Sequence, residues 1–143
     1  NEGDEIISTV PVYGPFMKAP EAAKKKLVKV QMKLENNRWT LDFDAIRAAI
    51  TPRTRMFMLC NPYNPAGTVF TKEELQTLSD ICTEHNIVIC SDEIHCDLIL
   101  DENVGPYSKL SVKTKTRVGS SCPSRFRLLI FGPDSDSKSN LTW

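Results

Sequence analysis

The clearest hydrophobic pattern in the chain is a pair of apolar runs separated by an amphipathic stretch. Residues 56–60 and 87–90 are continuously apolar and of strand length, which is typical of strands buried on both faces of a parallel sheet. Between them, residues 71–74 match a capping box and open a stretch with apolar positions at helical spacing. The residues predicted to be buried on this helix are Leu75, Leu78, Ile81 and Cys82. The pattern therefore predicts a β-α-β unit with two parallel strands.

The first part of the chain predicts two further strands around a helix. Residues 6–10 form a β-branched run that ends at Pro11, and residues 27–32 alternate between apolar and polar positions. Residues 16–25 between them have helical composition but include Pro20, which removes a backbone donor. We therefore expect this helix either to be short or to begin at Pro20.

A turn and a second helix are predicted next. Asn36 and Asn37 favour a tight turn, and Asp42 is placed to cap a helix that stops before Pro52. The apolar face of that helix consists of Phe43, Ile46, Ala49 and Ile50. Together these elements predict an α/β fold, a three-layer α-β-α arrangement around a mainly parallel sheet.

The pattern changes in the last quarter of the chain. Residues 1–110 form one organised block, whereas residues 111–143 contain seven serines, six basic residues and two acidic residues. The one strong apolar run in this tail is 128–131, directly before Gly132 and Pro133. We predict that 111–143 is a divergent and mainly irregular segment.

The composition and charge of the chain argue against nucleic-acid-binding and membrane proteins. The 143 residues suit one domain, and a formal net charge of zero gives no electrostatic reason to expect nucleic acid or an anionic membrane as partner. No apolar run approaches the roughly 20 residues that span a bilayer. The chain opens with acidic residues, unlike a signal or transit peptide. The five cysteines include no Cys-x-x-Cys pair, so we expect buried free thiols in a cytosolic protein.

Polar side chains follow both strands of the β-α-β unit. The first strand leads into a loop containing Asn64, and the second leads into Asp92 and His95. Neighbouring parallel strands lie about 4.8 Å apart and end at the same sheet edge, where open α/β sheets bind ligands. The topology therefore predicts a polar site formed by these three residues, without identifying its ligand.

Each of these residues also has a structural explanation. Asn64 can serve only as a turn residue before Pro65, Asp92 as a cap, and His95 as an exposed histidine. Tyr13, an aromatic residue that follows the predicted strand at 6–10, can be a core residue.

Two other kinds of site are disfavoured. Zinc ligation by Cys90, Asp92, His95 and Cys96 lacks a second ligand pair at the usual spacing. A nucleotide site lacks both glycine-rich phosphate motifs. We therefore expect no metal at this edge.

In their order and spacing, the motifs resemble the class I/II aminotransferases. The resemblance rests on Asn-Pro-Tyr-Asn-Pro-Ala-Gly at 61–67, the capped helix, and Ser-Asp-Glu-Ile-His at 91–95. The Asp-Glu-Ile-His form, with 9–13 and 42–46 upstream, is most similar to the carbon–sulfur β-lyase branch related to cystathionine β-lyase. The resemblance implies that residues 1–110 are part of the large, cofactor-binding domain of such an enzyme.

The resemblance also implies a cofactor, pyridoxal 5'-phosphate (PLP), and a role for each residue. Asp92 pairs with the protonated pyridine nitrogen, Asn64 and His95 hold the phenolic oxygen, and Tyr13 stacks on the ring. It further implies a homodimer that acts on a small amino acid, and a lysine bound covalently to the cofactor. That catalytic lysine is not identified, because residues 119–131 contain none and Arg125 occupies the position of the family's lysine in a faint match at 122–126.

Three functions follow as hypotheses. The first is a carbon–sulfur β-lyase that converts cystathionine or cysteine conjugates to pyruvate, ammonia and a thiol. The second is an aminotransferase. The third is a truncated, catalytically inert product that lacks the lysine.

Overall fold

The computed structural model describes residues 1–95, Leu98 and 128–131. The strands of this part are β1 (Glu5–Val10), β2 (Lys26–Gln31), β3 (Lys33–Glu35), β4 (Arg38–Thr40), β5 (Thr54–Cys60), β6 (Val88–Asp92) and β7 (Leu128–Phe131). The helices are α1 (Gly14–Ala22), α2 (Phe43–Ala49) and α3 (Lys72–Glu84).

A five-stranded sheet organises the fold, in the order β2-β1-β5-β6-β7. The first four strands in that order run parallel, and β7 is antiparallel to β6. The predicted β-α-β unit is confirmed as β5-α3-β6, with Met56 opposite Val88 and Cys60 opposite Asp92. The expected α/β fold with a mainly parallel sheet is therefore confirmed.

The core lies along β5, which has neighbours on both sides. Phe57 and Leu59 of this strand are buried, as are Ile7 on β1 and Ile89 on β6. Helix α3 covers the strands with the face that the sequence predicted, and the buried residues of that face include Leu75, Leu78, Ile81 and Cys82. Because β5 and β6 each have strands on both sides and α3 packs over them, continuous apolar runs are stable there.

The start of α3 is joined to a separate hairpin. Thr71 and Glu74 form the predicted capping box, in which each side chain accepts from the backbone of the other residue. The Glu74 carboxylate also receives two parallel hydrogen bonds from Arg38 on β4, at 2.9 and 2.6 Å. Arg38 donates a third to the Val69 carbonyl. One carboxylate therefore fixes the helix start and the β3-β4 hairpin together.

Local turn and cap predictions are confirmed in this region. Asn36 and Asn37 both have positive φ, 48° and 61°, and join β3 to β4 as a two-residue hairpin turn. The Asp42 side chain accepts from the Ala45 amide at 3.0 Å and caps α2. Asparagine tolerates positive φ, and the aspartate side chain accepts a hydrogen bond from an otherwise free amide at a helix start. The chemistry of each residue therefore explains its position in the turn or the cap.

Two alternatives were predicted for helix α1 because of Pro20, namely a short helix or a helix that begins at Pro20. The helix is short, beginning at Gly14 and ending at Ala22, so the alternative that it begins at Pro20 is wrong. Pro20 lies inside it and is buried. The loss of one backbone donor is tolerated because Pro20 stands near the end of a helix that packs against the sheet.

The apolar run in the tail forms strand β7. This strand pairs with β6 from Ile89 to Asp92, so its four residues are an exception to the irregular structure predicted for 111–143. A continuous apolar run adds a strand where a sheet edge is open. The other residues of the tail, and the predicted boundary at residue 110, lie outside the described residues.

A buried carboxylate lies at the opposite end of the sheet from the polar loops. Glu5 begins β1 and is only 5% exposed. Its carboxylate accepts hydrogen bonds from Lys26 at 2.8 Å, from the Thr51 hydroxyl at 2.5 Å and from the Thr54 hydroxyl at 3.5 Å. These donors, Lys26 first, lower the pKa of Glu5 from its ordinary value of 4.5.

We expect ionised Glu5 to stabilise the fold, so that the free energy of unfolding decreases when Glu5 is protonated in acid. Because the folded pKa is lowered, its contribution is complete above about pH 4.5 and disappears as the pH falls through the folded pKa. The Glu5→Gln variant should be less stable than the natural protein by about 1–3 kcal/mol at pH 7. Urea unfolding at pH 7 and pH 3 should show this difference shrink in acid. An exposed control, Glu2→Gln, should show no such difference; equal pH profiles for natural protein and Glu5→Gln would contradict the assignment.

Candidate functional site at the carboxyl edge of the sheet

The order of the strands reverses between β1 and β5. From β1 the chain continues to β2 on one side, whereas β5 lies on the other side of β1 and continues to β6. Crossovers between parallel strands are right-handed as a rule, which places α1 and α3 on opposite faces of the sheet and predicts a crevice at the carboxyl ends of β1 and β5. Ligands of open α/β sheets bind in such a crevice.

Tyr13 and Asn64 lie on the two sides of this crevice. Tyr13 follows β1 and Asn64 follows β5, and the Tyr13 amide donates to the Asn64 carbonyl at 2.9 Å. The Tyr13 side chain is 50% exposed, so it is not a core residue. The structure therefore brings together two residues that the sequence had connected only through a family resemblance.

Asp92 ends β6, beside the last residue of β5. Cys60 lies opposite it in the sheet, and the Asn61 amide donates to the Asp92 carbonyl at 3.0 Å. The Asp92 side chain caps the turn that follows, because its Oδ1 accepts from the Ile94 amide at 3.1 Å. Within the described part of the chain, Oδ2 makes no hydrogen bond. Asp92 is therefore a capping residue, and this role uses one of its two carboxylate oxygens.

His95 lies in the turn after β6 and is half-buried. Its backbone carbonyl accepts from the Leu98 amide at 2.9 Å. No hydrogen bond joins its imidazole to any residue that the structure describes. His95 thus shares the carboxyl end of β6 with Asp92, but no contact among these residues connects it to Asn64.

The loop that carries Asn64 is held by its own hydrogen bonds. The side chain of buried Asn61 accepts from the Phe70 amide at 3.1 Å. Tyr63 donates its amide to the Thr68 carbonyl and accepts from the Gly67 amide, both at 2.8 Å. Gly67 has a φ of 64°, which favours glycine at the tip of this turn. The position of Asn64 is therefore fixed by its neighbours on both sides.

Tyr63 is a residue of this site that sequence reasoning missed. Its side chain is 3% exposed, and its hydroxyl contacts Thr9 Oγ1 at 2.8 Å and the Thr9 carbonyl at 2.6 Å. Its ring meets Phe70 edge to face, with centroids 5.6 Å apart. The one available signal was a tyrosine between two prolines in the loop, which does not identify a partner on β1.

Burial and the Asp92 carboxylate keep nearby thiols protonated. Burial raises the pKa of the Cys60 thiol; the Asn64 amide opposes this rise, and Asp92 adds to it. Burial and Asp92 raise the pKa of Cys90 to about 11. Cys60, Cys82 and Cys90 are buried free thiols, as predicted, while Cys96 and Cys122 lie outside the described residues. These thiols are neutral at physiological pH and pack as small apolar groups.

The groups at this edge suit a flat ligand with charge at its rim. A carboxylate can hold a protonated ring nitrogen, an amide or imidazole can hold an anionic oxygen, and an exposed aromatic ring can stack on a face. Among the described residues, no cluster of three or more His, Cys, Asp or Glu side chains could bind a metal ion. The same residues include no helix with the length and apolarity to cross a bilayer.

Comparison with known proteins identifies the family. Residues 1–122 match the family model described as aminotransferase class I and II. The chain belongs to this family. The resemblance seen in the sequence is thereby confirmed, and so is the fold.

Named relatives of this family member include both a transaminase and a lyase. It is 36% identical to the probable kynurenine–oxoglutarate transaminase BNA3 of Saccharomyces cerevisiae, covering 78% of this chain and 27% of that protein. It is 32% identical to cystathionine beta-lyase PatB of Bacillus subtilis, covering 76% of this chain and 29% of that one. The chain thus spans less than a third of the length of either relative.

A solved structure extends the comparison to the cofactor. The PLP-bound putative aminotransferase of Clostridium difficile 630 is 40% identical over 71% of this chain and 26% of its own, with a TM-score of 0.68. The family consists of PLP-dependent enzymes, so the enzyme class and the cofactor that the resemblance implied are confirmed at the level of the family.

Proposed function

We propose that this chain forms part of a PLP site at the crevice between β1 and β5, in an enzyme that acts on small amino acids. The observation that carries the proposal is the hydrogen bond that joins Tyr13 to Asn64 beside the carboxyl end of β6, where Asp92 lies. Three kinds of group that suit a pyridine ring thus share one sheet edge, at the topological position where such sheets bind ligands.

Each residue has a role in this proposal. Asp92 would hold the protonated ring nitrogen while its Oδ1 keeps its bond to the Ile94 amide. Asn64 would donate to the phenolic oxygen, His95 would hold the same oxygen, and the half-exposed Tyr13 ring would stack on the cofactor. When bound, PLP supplies the electron sink that stabilises negative charge on the substrate carbon.

We infer a carbon–sulfur β-lyase as the reaction class. The motif Asp-Glu-Ile-His at 92–95 supports it, because His95 stands where aminotransferases more often have tyrosine, and PatB is a relative with a named lyase activity. The alternative is an aminotransferase, which similarity to BNA3 supports at comparable strength.

A third possibility is a catalytically inert product. It is supported by the absence of lysine from residues 119–131, where the resemblance implies the lysine that binds the cofactor. Residues 111–143 then form a divergent segment beyond a partial PLP-binding domain at 1–110.

The full natural protein that carries this chain should distinguish the three functions. With PLP added, its visible spectrum should shift, and borohydride should then fix the cofactor to one lysine. Cystathionine should yield pyruvate and ammonia in equal amounts without any added 2-oxo acid. Amino transfer to an added 2-oxo acid, with no pyruvate from cystathionine alone, would instead identify the aminotransferase. An unchanged cofactor spectrum would identify the inert product.

The proposal includes a homodimer in the cytosol. The dimer is implied by the family, and light scattering of the same preparation measures it. Three buried free thiols, Cys60, Cys82 and Cys90, support a reducing compartment.

A further inference from the structure

We propose that Tyr63 is a positioning residue, which holds Tyr13 and Asn64 in register across the crevice. Its relation to the cofactor rests on the function proposed above. Tyr63 precedes Asn64 directly in the chain, yet its side chain turns back into the protein and contacts β1.

The contact lies where the two strands stop pairing. The pairing between β1 and β5 extends to Ser8 and Met58 and goes no further. The next residue of β1 is Thr9, and its carbonyl accepts a hydrogen bond from the Tyr63 hydroxyl at 2.6 Å. The phenol therefore replaces the missing backbone bond at the point where the crevice opens. It is the nearer of two side-chain donors to this buried carbonyl, since the Ser8 hydroxyl donates to it at 3.5 Å.

The direction of each hydrogen bond follows from the groups involved. A carbonyl can only accept, so the single phenolic hydrogen of Tyr63 is donated to the Thr9 carbonyl. The Thr9 hydroxyl then donates to the phenolic oxygen over the 2.8 Å contact. Burial raises the pKa of Tyr63 to about 12, so the phenol remains protonated at physiological pH and acts as a donor rather than as a proton-transfer group.

These contacts close a ring around the crevice. Thr9 leads along the chain to Tyr13, the Tyr13 amide binds the Asn64 carbonyl, and Asn64 is bonded to Tyr63. On its far side, the Tyr63 ring packs on Phe70, whose amide is held by Asn61. Removal of the phenolic oxygen should therefore loosen the Tyr13–Asn64 contact without changing either residue.

The test compares two buried hydroxyls at opposite ends of the sheet. Tyr63→Phe removes the phenolic oxygen and retains the ring. Thr54→Val removes a buried hydroxyl at the first residue of β5, where it bonds Thr51 and Glu5. Hydrogen exchange of the Tyr13 amide is measured in the cofactor-free full protein, and PLP affinity is measured by titration of visible absorption.

Tyr63→Phe should accelerate exchange of the Tyr13 amide about tenfold, the effect of losing roughly one buried hydrogen bond, and should weaken PLP binding by a similar factor. Thr54→Val should change each quantity less than about twofold, although both variants lower the unfolding temperature. Thr9→Ser, which keeps both oxygen atoms, should behave as the natural protein, whereas Thr9→Val should show part of the loss.

The outcomes separate this inference from the proposed function. If the natural protein binds no PLP, the proposed function fails, and the exchange of the Tyr13 amide still decides the role of Tyr63. If Tyr63→Phe and Thr54→Val change exchange equally, or if Tyr63→Phe leaves it unchanged, Tyr63 is only a core residue and the inference is wrong.

Discussion

Replacing Asp92 with asparagine should lower the kcat/KM of the full natural protein by about 10²–10³-fold, a loss typical of removing one preorganised electrostatic partner. Asparagine retains an oxygen that can accept from the Ile94 amide, so the turn after β6 should be preserved. It lacks the negative charge that holds a protonated ring nitrogen. The substitution thus removes the proposed cofactor contact and leaves the capping contact in place.

This design distinguishes the two explanations of Asp92. If Asp92 acts only as a cap, Asp92→Asn should be almost neutral and Asp92→Ala should lose stability. If Asp92 holds the cofactor, both variants lose activity, and Asp92→Asn keeps the natural unfolding temperature when both proteins are free of cofactor. A matched control is Asp80→Asn on α3, where the aspartate contacts Gln76 at an exposed position and no effect on activity is expected. Full activity of Asp92→Asn would exclude the proposed role.

The second large effect should come from the core. Leu59 lies in β5, the strand with parallel neighbours on both sides, and its side chain is 0% exposed. Leu59→Ala should destabilise the protein by about 3–4 kcal/mol, because the lost apolar contact is followed by a cavity that close-packed neighbours fill only partly. Against a typical total of about 5–15 kcal/mol, this loss is a large fraction of the stability.

The control makes the same leucine-to-alanine change at a solvent-exposed position of a strand. Leu34 lies in β3 of the hairpin and is 58% exposed, so Leu34→Ala should change the stability by less than about 0.5 kcal/mol. Urea unfolding of both variants gives the comparison. Similar midpoints for the two would show that β5 is not the centre of the core.

The predicted site illustrates how far a sequence pattern can lead. Asn64 and Asp92 follow runs that parallel-strand geometry brings to one edge, so their proximity to the ends of β5 and β6 could be predicted. The participation of β1 could not, since the position of β1 beside β5 depends on the order of strands in the sheet. Tyr13 entered the prediction through family resemblance alone, and its roles, like those of Asn64, Asp92 and His95, stay predictions.

What the sequence determined by itself is local. The capping box of α3, the Asp42 cap, the Asn36–Asn37 turn and the apolar strands all depend on neighbouring residues, whose hydrogen bonds and periodicity are written in the chain. The tertiary structure alone decided that β1 lies beside β5, that Arg38 binds Glu74, and that Tyr63 binds Thr9 across a gap in strand pairing. Such contacts join residues 36 and 54 positions apart, and their partners are selected by packing of the whole sheet rather than by any local preference.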